Sequence, residues 1–195
     1  MAFPVVSSIT ETSFTLDPTT HNVSMPATVD AGDLLLLLIS FHRSAGTVTT
    51  PTGWTLLEDI ANIHEIYGKD AVGDEGGTTV NVASTTGVNG AAQVYRITAA
   101  SWFGTLSTGV EVPAEAAVTG STAPNPPANT PTWGADDTLW IAITLIRDDD
   151  EAVTAFPTNY TNGVNTVSGG GANLGATVGS ARRELNATSE DPATF

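Results

Sequence analysis

Three histidines, His21, His42 and His64, are the side chains best suited to proton transfer or metal binding at neutral pH. They fall on or beside different expected strands, and none shares a motif with a nucleophile and a carboxylate, as a catalytic triad needs. The chain has no Gly-x-Ser-x-Gly elbow, no His-Glu-x-x-His and no phosphate-cradling Gly-x-x-x-x-Gly-Lys. Its glycine-rich run, Ser168-Gly169-Gly170-Gly171, lacks the lysine and the following helix of a phosphate loop and reads as a turn. The histidines therefore read as ordinary surface or edge-strand residues, and no catalytic or cofactor-binding residue is expected.

Carboxylates offer a second chemistry. General acid and base work needs two of them held several ångströms apart across a cleft, and no such pair is identifiable. Asp148, Asp149, Asp150 and Glu151 form four adjacent charges after an expected strand ending at Ile146-Arg147. They repel one another unless solvated or bound to a cation, and the run lacks the alternating ligands and central glycine of an EF-hand. A solvated loop tip is the first reading, and a bound Ca²⁺ or Mg²⁺ is the alternative. Asp30, Asp33, Asp136 and Asp137 read as turn residues bonding their own backbone.

Four tryptophans, Trp54, Trp102, Trp133 and Trp140, could stack on a sugar ring. Trp54 and Trp140 sit at strand boundaries that recur in the sequence and are assigned to the core. Trp102 and Phe103 lie in an expected loop, where two adjacent aromatics either plug the end of the fold or present an exposed anchor to a partner. Plugging is the first reading. Arg182 and Arg183, adjacent on a late strand and so pointing to opposite faces, are the cations placed to make partner contacts. The patterns at Asn22, Asn159 and Asn186 that match glycosylation acceptors arise by chance in a threonine-rich chain.

The elements that position these residues follow from composition. The 195 residues suit one domain, 41% of them are hydrophobic and only 14% charged, and there are 19 Gly and 11 Pro. Abundant Thr and Val favour pleated strands over helices. Six cations against 21 carboxylates give a formal net charge of -15, which disfavours nucleic acid and anionic membranes. No cysteine is present, so neither disulfides nor thiolate metal sites contribute. The start, Met-Ala-Phe-Pro-Val-Val, carries no secretory-signal pattern, and a soluble chain is expected.

Strand patterns separated by Gly, Pro, Asn or Asp are read at residues 5–9, 13–16, 22–25, 34–41, 55–60, 63–69, 78–82, 91–97, 105–112, 116–118, 138–146, 161–167 and 174–183, with a last piece ending at Phe195. The run Leu34 to Ile39 is too short to span a bilayer and reads as a strand buried on both faces. The fold expected over residues 1–195 is all-β, a single antiparallel β-sandwich of jelly-roll-like form.

A faint repeat runs through it. Ala31-Gly32-Asp33-Leu34 to Ile39 is echoed by Ala135-Asp136-Asp137-Thr138 to Ile143, and Thr50-Pro51-Thr52-Gly53-Trp54-Thr55 by Phe156-Pro157-Thr158-Asn159-Tyr160-Thr161. Lys69 to Thr78 lines up loosely with Glu184 to Ala193. Two half-repeats, about 22–83 and 132–195, are expected to contribute strands to both sheets of one sandwich, with the Pro-rich stretch 124–131 as the crossover.

The run Val29-Asp30-Ala31-Gly32-Asp33-Leu34-Leu35-Leu36, then Thr50 to Leu57, Val94-Tyr95-Arg96-Ile97 and the closing Ala181 to Pro192, resembles a group of tailed-bacteriophage and prophage β-sandwich virion structural proteins. The resemblance spans about Asn22 to the end, and its motifs are turn-plus-strand signatures, not catalytic ones. It implies a non-enzymatic external capsid decoration protein on the outer surface of the head. Such a protein binds the major capsid protein lattice as a homo-oligomer, a trimer over a symmetry axis, with no cofactor. A tail- or fibre-associated adhesion module that binds carbohydrate or receptor is the alternative.

Overall fold

The computed structural model describes residues 2–102, 104–114, 123–147, 151–170 and 174–195. Its elements in chain order are β1 (Val6–Phe14), β2 (Thr20–Ser24), β3 (Leu34–Phe41), β4 (Val48–Thr49), β5 (Thr55–Ile60), β6 (His64–Asp70), β7 (Thr79–Ser84), β8 (Gly90–Ile97), a single helical turn α1 (Leu106–Gly109), β9 (Asp136–Arg147), β10 (Thr161–Val167) and β11 (Ala176–Ala187). All strand pairs are antiparallel and make three sheets, ordered β1-β8-β3-β6-β5, β2-β7-β4 and β10-β11-β9.

The five-stranded sheet is the middle layer. Leu35, Leu37, Ile39 and Phe41 on one face of β3 pack with Val23 and Val82 of the β2-β7-β4 sheet. Leu34, Leu36 and Leu38 on the other face pack with Val178, Ile141 and Ile143 of the β10-β11-β9 sheet. Every residue of β3 is buried, and this double coverage is why the sequence there is a continuous apolar run instead of an alternating one. The third sheet alternates. Trp140, Ala142 and Ala181 point away from the middle layer into a small outer core closed by Tyr160 and Phe195.

The all-β, antiparallel sandwich expectation is met, with a third layer added. The expected strands 5–9 and 13–16 are one strand, β1, that ends at Phe14. Residues 105–112 form no strand. There the chain makes α1, whose Leu106 side chain sits over Gly68, where an added Cβ would lie 2.3 Å from it, and whose Leu106 N–H is held by the Asp70 carboxylate at 3.1 Å. The terminal strand is also absent: Glu190 bridges to Asn129, and Phe195 N–H donates to Pro124 O, so the end of the chain is tied to the Pro-rich stretch. Residues 116–118 lie outside the described residues.

The two halves do not divide as expected between two sheets: strands of 132–195 supply the third sheet alone. Within each half, however, three strands share one arrangement. The order β3-β6-β5 places the third strand between the first and second, and β9-β11-β10 does the same.

Candidate functional site

Each histidine is engaged by the fold. His21 is fully buried between Phe14 and Phe41, with ring centroids 5.1 and 4.8 Å away, and its two ring nitrogens face Val82 O at 2.9 Å and Val88 O at 3.0 Å. His42 is buried too, and its Nδ1 accepts the Asn89 N–H at 3.0 Å. His64 Nδ1 lies 3.0 Å from Ser40 Oγ, which donates to Ile146 O at 2.9 Å. Ser40 has no exposed surface, so this serine–histidine contact ties β3 to β9 and presents no nucleophile. Burial, with the Arg147 charge nearby, lowers the His64 pKa to about 4 and keeps the ring neutral at pH 7.

A buried polar chain also joins the middle and third layers. Gln93 Nε2 donates to Thr166 Oγ1 at 3.1 Å and to Val178 O at 2.9 Å, and Gln93 Oε1 accepts from Ser180. The Ser180 and Tyr95 hydroxyls are 2.6 Å apart, and Thr166 donates to Glu11 at 2.6 Å. These groups satisfy one another across the interface, which fixes how the third sheet sits on the middle one.

Two concavities remain as candidate binding surfaces. An apolar cleft of about 990 Å³ lies between the middle and third sheets, lined in part by Leu57, Ile66, Leu139, Ile141, Trp102 and His64. Trp102 is half-buried and packs on that core, its ring over Gly104 and Gly109, where an added Cβ would lie 3.1 and 2.7 Å from it. This is the plug placement. A smaller groove of about 510 Å³ is lined by Thr50, Thr52, Trp54, Lys69, Glu75 and Asn81.

In that groove Lys69 Nζ and Glu75 Oε1 are 2.8 Å apart, and Glu75 also accepts the Val72 and Gly73 N–H groups at 3.0 and 2.9 Å. Burial works to raise the Glu75 pKa, but Lys69 and these N–H groups outweigh it and hold the carboxyl down at about 2. Threonine hydroxyls, an amide, a fixed charge pair and an indole edge form a surface able to hydrogen-bond a polyhydroxylated ligand.

The remaining expected site residues fall apart in space. Arg183 Nη1 pairs with Glu190 Oε1 at 2.7 Å, which makes it part of the outer core's rim. Arg182 lies on the opposite face, where its charge is felt at Tyr95. Glu151 is exposed, and its backbone O accepts from Thr177 Oγ1 at 3.0 Å. Phe103, Asp148, Asp149 and Asp150 lie outside the described residues. Among the described residues no three His, Cys, Asp or Glu side chains come together as a metal ion requires, and no helix is long and apolar enough to cross a membrane.

Sequence reasoning missed the groove around Lys69 and Glu75 and the Gln93 network. The groove is built from the turn before β5 and the loop after β6, and its one signal in the sequence is the Pro-Thr-Gly-Trp turn itself. No family model, curated protein or solved structure matches the chain.

Proposed function

We propose that this chain is a non-enzymatic structural protein of a tailed-phage virion, coating the outside of the head by binding the major capsid protein lattice. The observation that carries the reading is the distribution of charge. Of the six cations, Lys69 pairs with Glu75, Arg96 with Asp33 and Asp30, Arg183 with Glu190 and Arg43 with Asp17. Those four cations are already paired with carboxylates of the fold, and the net charge of -15 leaves the outer surface acidic. Such a surface is repelled by packaged DNA and anionic lipid, stays soluble at high density and associates with basic protein surfaces.

Three layers, joined by an apolar core on one side and by buried polar groups as well on the other, hold together without disulfides. The pairs β1–β8, β2–β7 and β3–β6 are nested as in a long hairpin rolled into two facing sheets, which favours a jelly-roll-like form. The test is co-sedimentation with shells of the major capsid protein encoded alongside this chain. Saturable binding at a fixed number of copies per shell is expected, and absence of binding at micromolar concentration overturns the reading.

The Trp54 groove favours a second reading, a carbohydrate-binding adhesion module at the tail. A glycan array that is positive for the intact chain and negative for Asn81→Ala, with no binding to shells, would establish it instead.

A further inference from the structure

Leu16 is 95% exposed and its backbone is in the left-handed region, with φ of 70°. Asp17 follows at 48°. A branched L-residue occupies this region at a cost that glycine does not carry, so two in succession need a surrounding structure that enforces them.

That structure is present. Asp17 N–H donates to Asn89 Oδ1 at 2.9 Å, Val88 N–H donates to Pro18 O at 3.1 Å, and Arg43 reaches Gly87 O at 2.8 Å while lying 3.5 Å from Asp17. Gly87 is packed so closely that an added Cβ would lie 2.4 Å from Asp17 O. The same Asn89 donates from Nδ2 to Leu174 O at 2.9 Å, and Leu174 is 43% exposed. One buried amide thus holds the backbone at Asp17, after β1 of the middle sheet, and at Leu174, before β11 of the third, and an exposed leucine stands at or beside each point. Leu16 itself packs into none of the three cores.

We infer that Leu16 and Leu174 are a preset docking tip that inserts into an apolar pocket with a basic rim on a partner protein. Leu16 adds no packing to the three cores, whereas a held side chain loses little further entropy on binding. Charge selects the partner. Asp17 at the tip is paired with Arg43 at 3.5 Å, so the selection comes from the chain as a whole, whose net charge is -15. Anionic lipid and a second copy of this chain are both repelled, and a basic protein rim is attracted. The inference rests on the proposed function, under which the pocket belongs to the capsid lattice.

The test compares wild type, Leu16→Asn, Leu174→Ser and the control Val72→Ser. Val72 is 66% exposed and follows β6 at the opposite end of the strands. Melting, shell binding and binding to phosphatidylcholine/phosphatidylglycerol vesicles are measured for each. Asparagine tolerates the left-handed region, so Leu16→Asn is expected to raise Tm by about 2–4 °C. It should also weaken shell binding at least tenfold, with Leu174→Ser weakening it too and Val72→Ser leaving it unchanged. Undiminished shell binding by Leu16→Asn overturns the tip and leaves the proposed function standing. A fall in Tm shows that Leu16 serves the fold and overturns it as well. Leucine-dependent binding to vesicles or self-association overturns the choice of partner, and failure of wild type to bind shells overturns the proposed function together with its assignment of the pocket.

Discussion

Trp54 and Tyr160 occupy the same place in the two three-stranded units. Each ends a turn that begins with proline, Pro51 and Pro157, and its N–H donates back to that proline's carbonyl at 3.0 Å. The third residue of each turn is left-handed, Gly53 at 80° and Asn159 at 70°. Thr55 pairs with Gly68 and Thr161 with Arg182, so one step back sets Trp54 opposite Lys69 and Tyr160 opposite Arg183. Both cations close on a glutamate further along, Glu75 at 2.8 Å and Glu190 at 2.7 Å. The two units turn equivalent faces toward each other, Leu34, Leu36 and Leu38 meeting Leu139, Ile141 and Ile143.

The two turns should answer oppositely to small substitutions. Gly53→Ala places a Cβ in the left-handed region and is expected to cost about 1–2 kcal/mol. Asn159→Gly keeps the conformation accessible and should change stability by less than about 0.5 kcal/mol. Urea unfolding checks both, and an equal loss at the two sites would contradict the equivalence of turn geometry.

Lys69→Met leaves the largely buried Glu75 without its cation and is expected to destabilise the chain by about 2–4 kcal/mol at pH 7. Glu75 is held below its unfolded pKa, so its contribution is present above pH 4.5 and lost as pH falls toward 2. The Lys69→Met protein should therefore lose less stability than wild type over that acid range, measured by unfolding at pH 2.5, 3.5 and 5.

Glu65 behaves with the opposite sign. Burial, with the Asp59 charge opposite it on β5, raises its pKa to about 8, and the Tyr67 hydroxyl donates to it. The folded state keeps a proton that the unfolded chain releases, so stability falls as pH rises from 4.5 to 8, by at most about 1.4 kcal/mol per unit. Glu65→Gln keeps the acceptor for Tyr67 and should flatten this decline. Unfolding free energies at pH 5, 6.5 and 8 give the slope, and a slope unchanged in the variant would contradict the assignment.

Ser180→Ala removes the hydroxyl shared by Gln93 and Tyr95 between the layers. Two buried polar groups then lose a partner, an expected cost of about 1–3 kcal/mol by urea unfolding.

Much of the fold was legible because burial writes itself into pattern. The unbroken Leu34 to Ile39 run announced a strand covered on both faces, and the paired Pro-turns announced Trp54 and Tyr160. The strand echoes were less exact. They align Lys69 with Glu184 and Leu34 with Thr138, whereas the ladders set Leu35 against Lys69 and Trp140 against Arg183. A shift of one residue exchanges the faces of a strand, and apolar runs on both faces hide it. The docking tip was illegible for another reason: a leucine in the left-handed region follows no propensity, and residues 13–16 read as strand. The Gln93 network joins positions 73 to 87 residues apart, a separation that no local pattern reports.

Location in the particle decides whether this chain coats the head. A cryo-electron-microscopy map of the virion, compared with one from particles lacking this protein, is expected to show difference density on the outer surface of the head, seated on the capsid lattice. Density inside the head, density confined to the tail, or a protein absent from purified particles would contradict it.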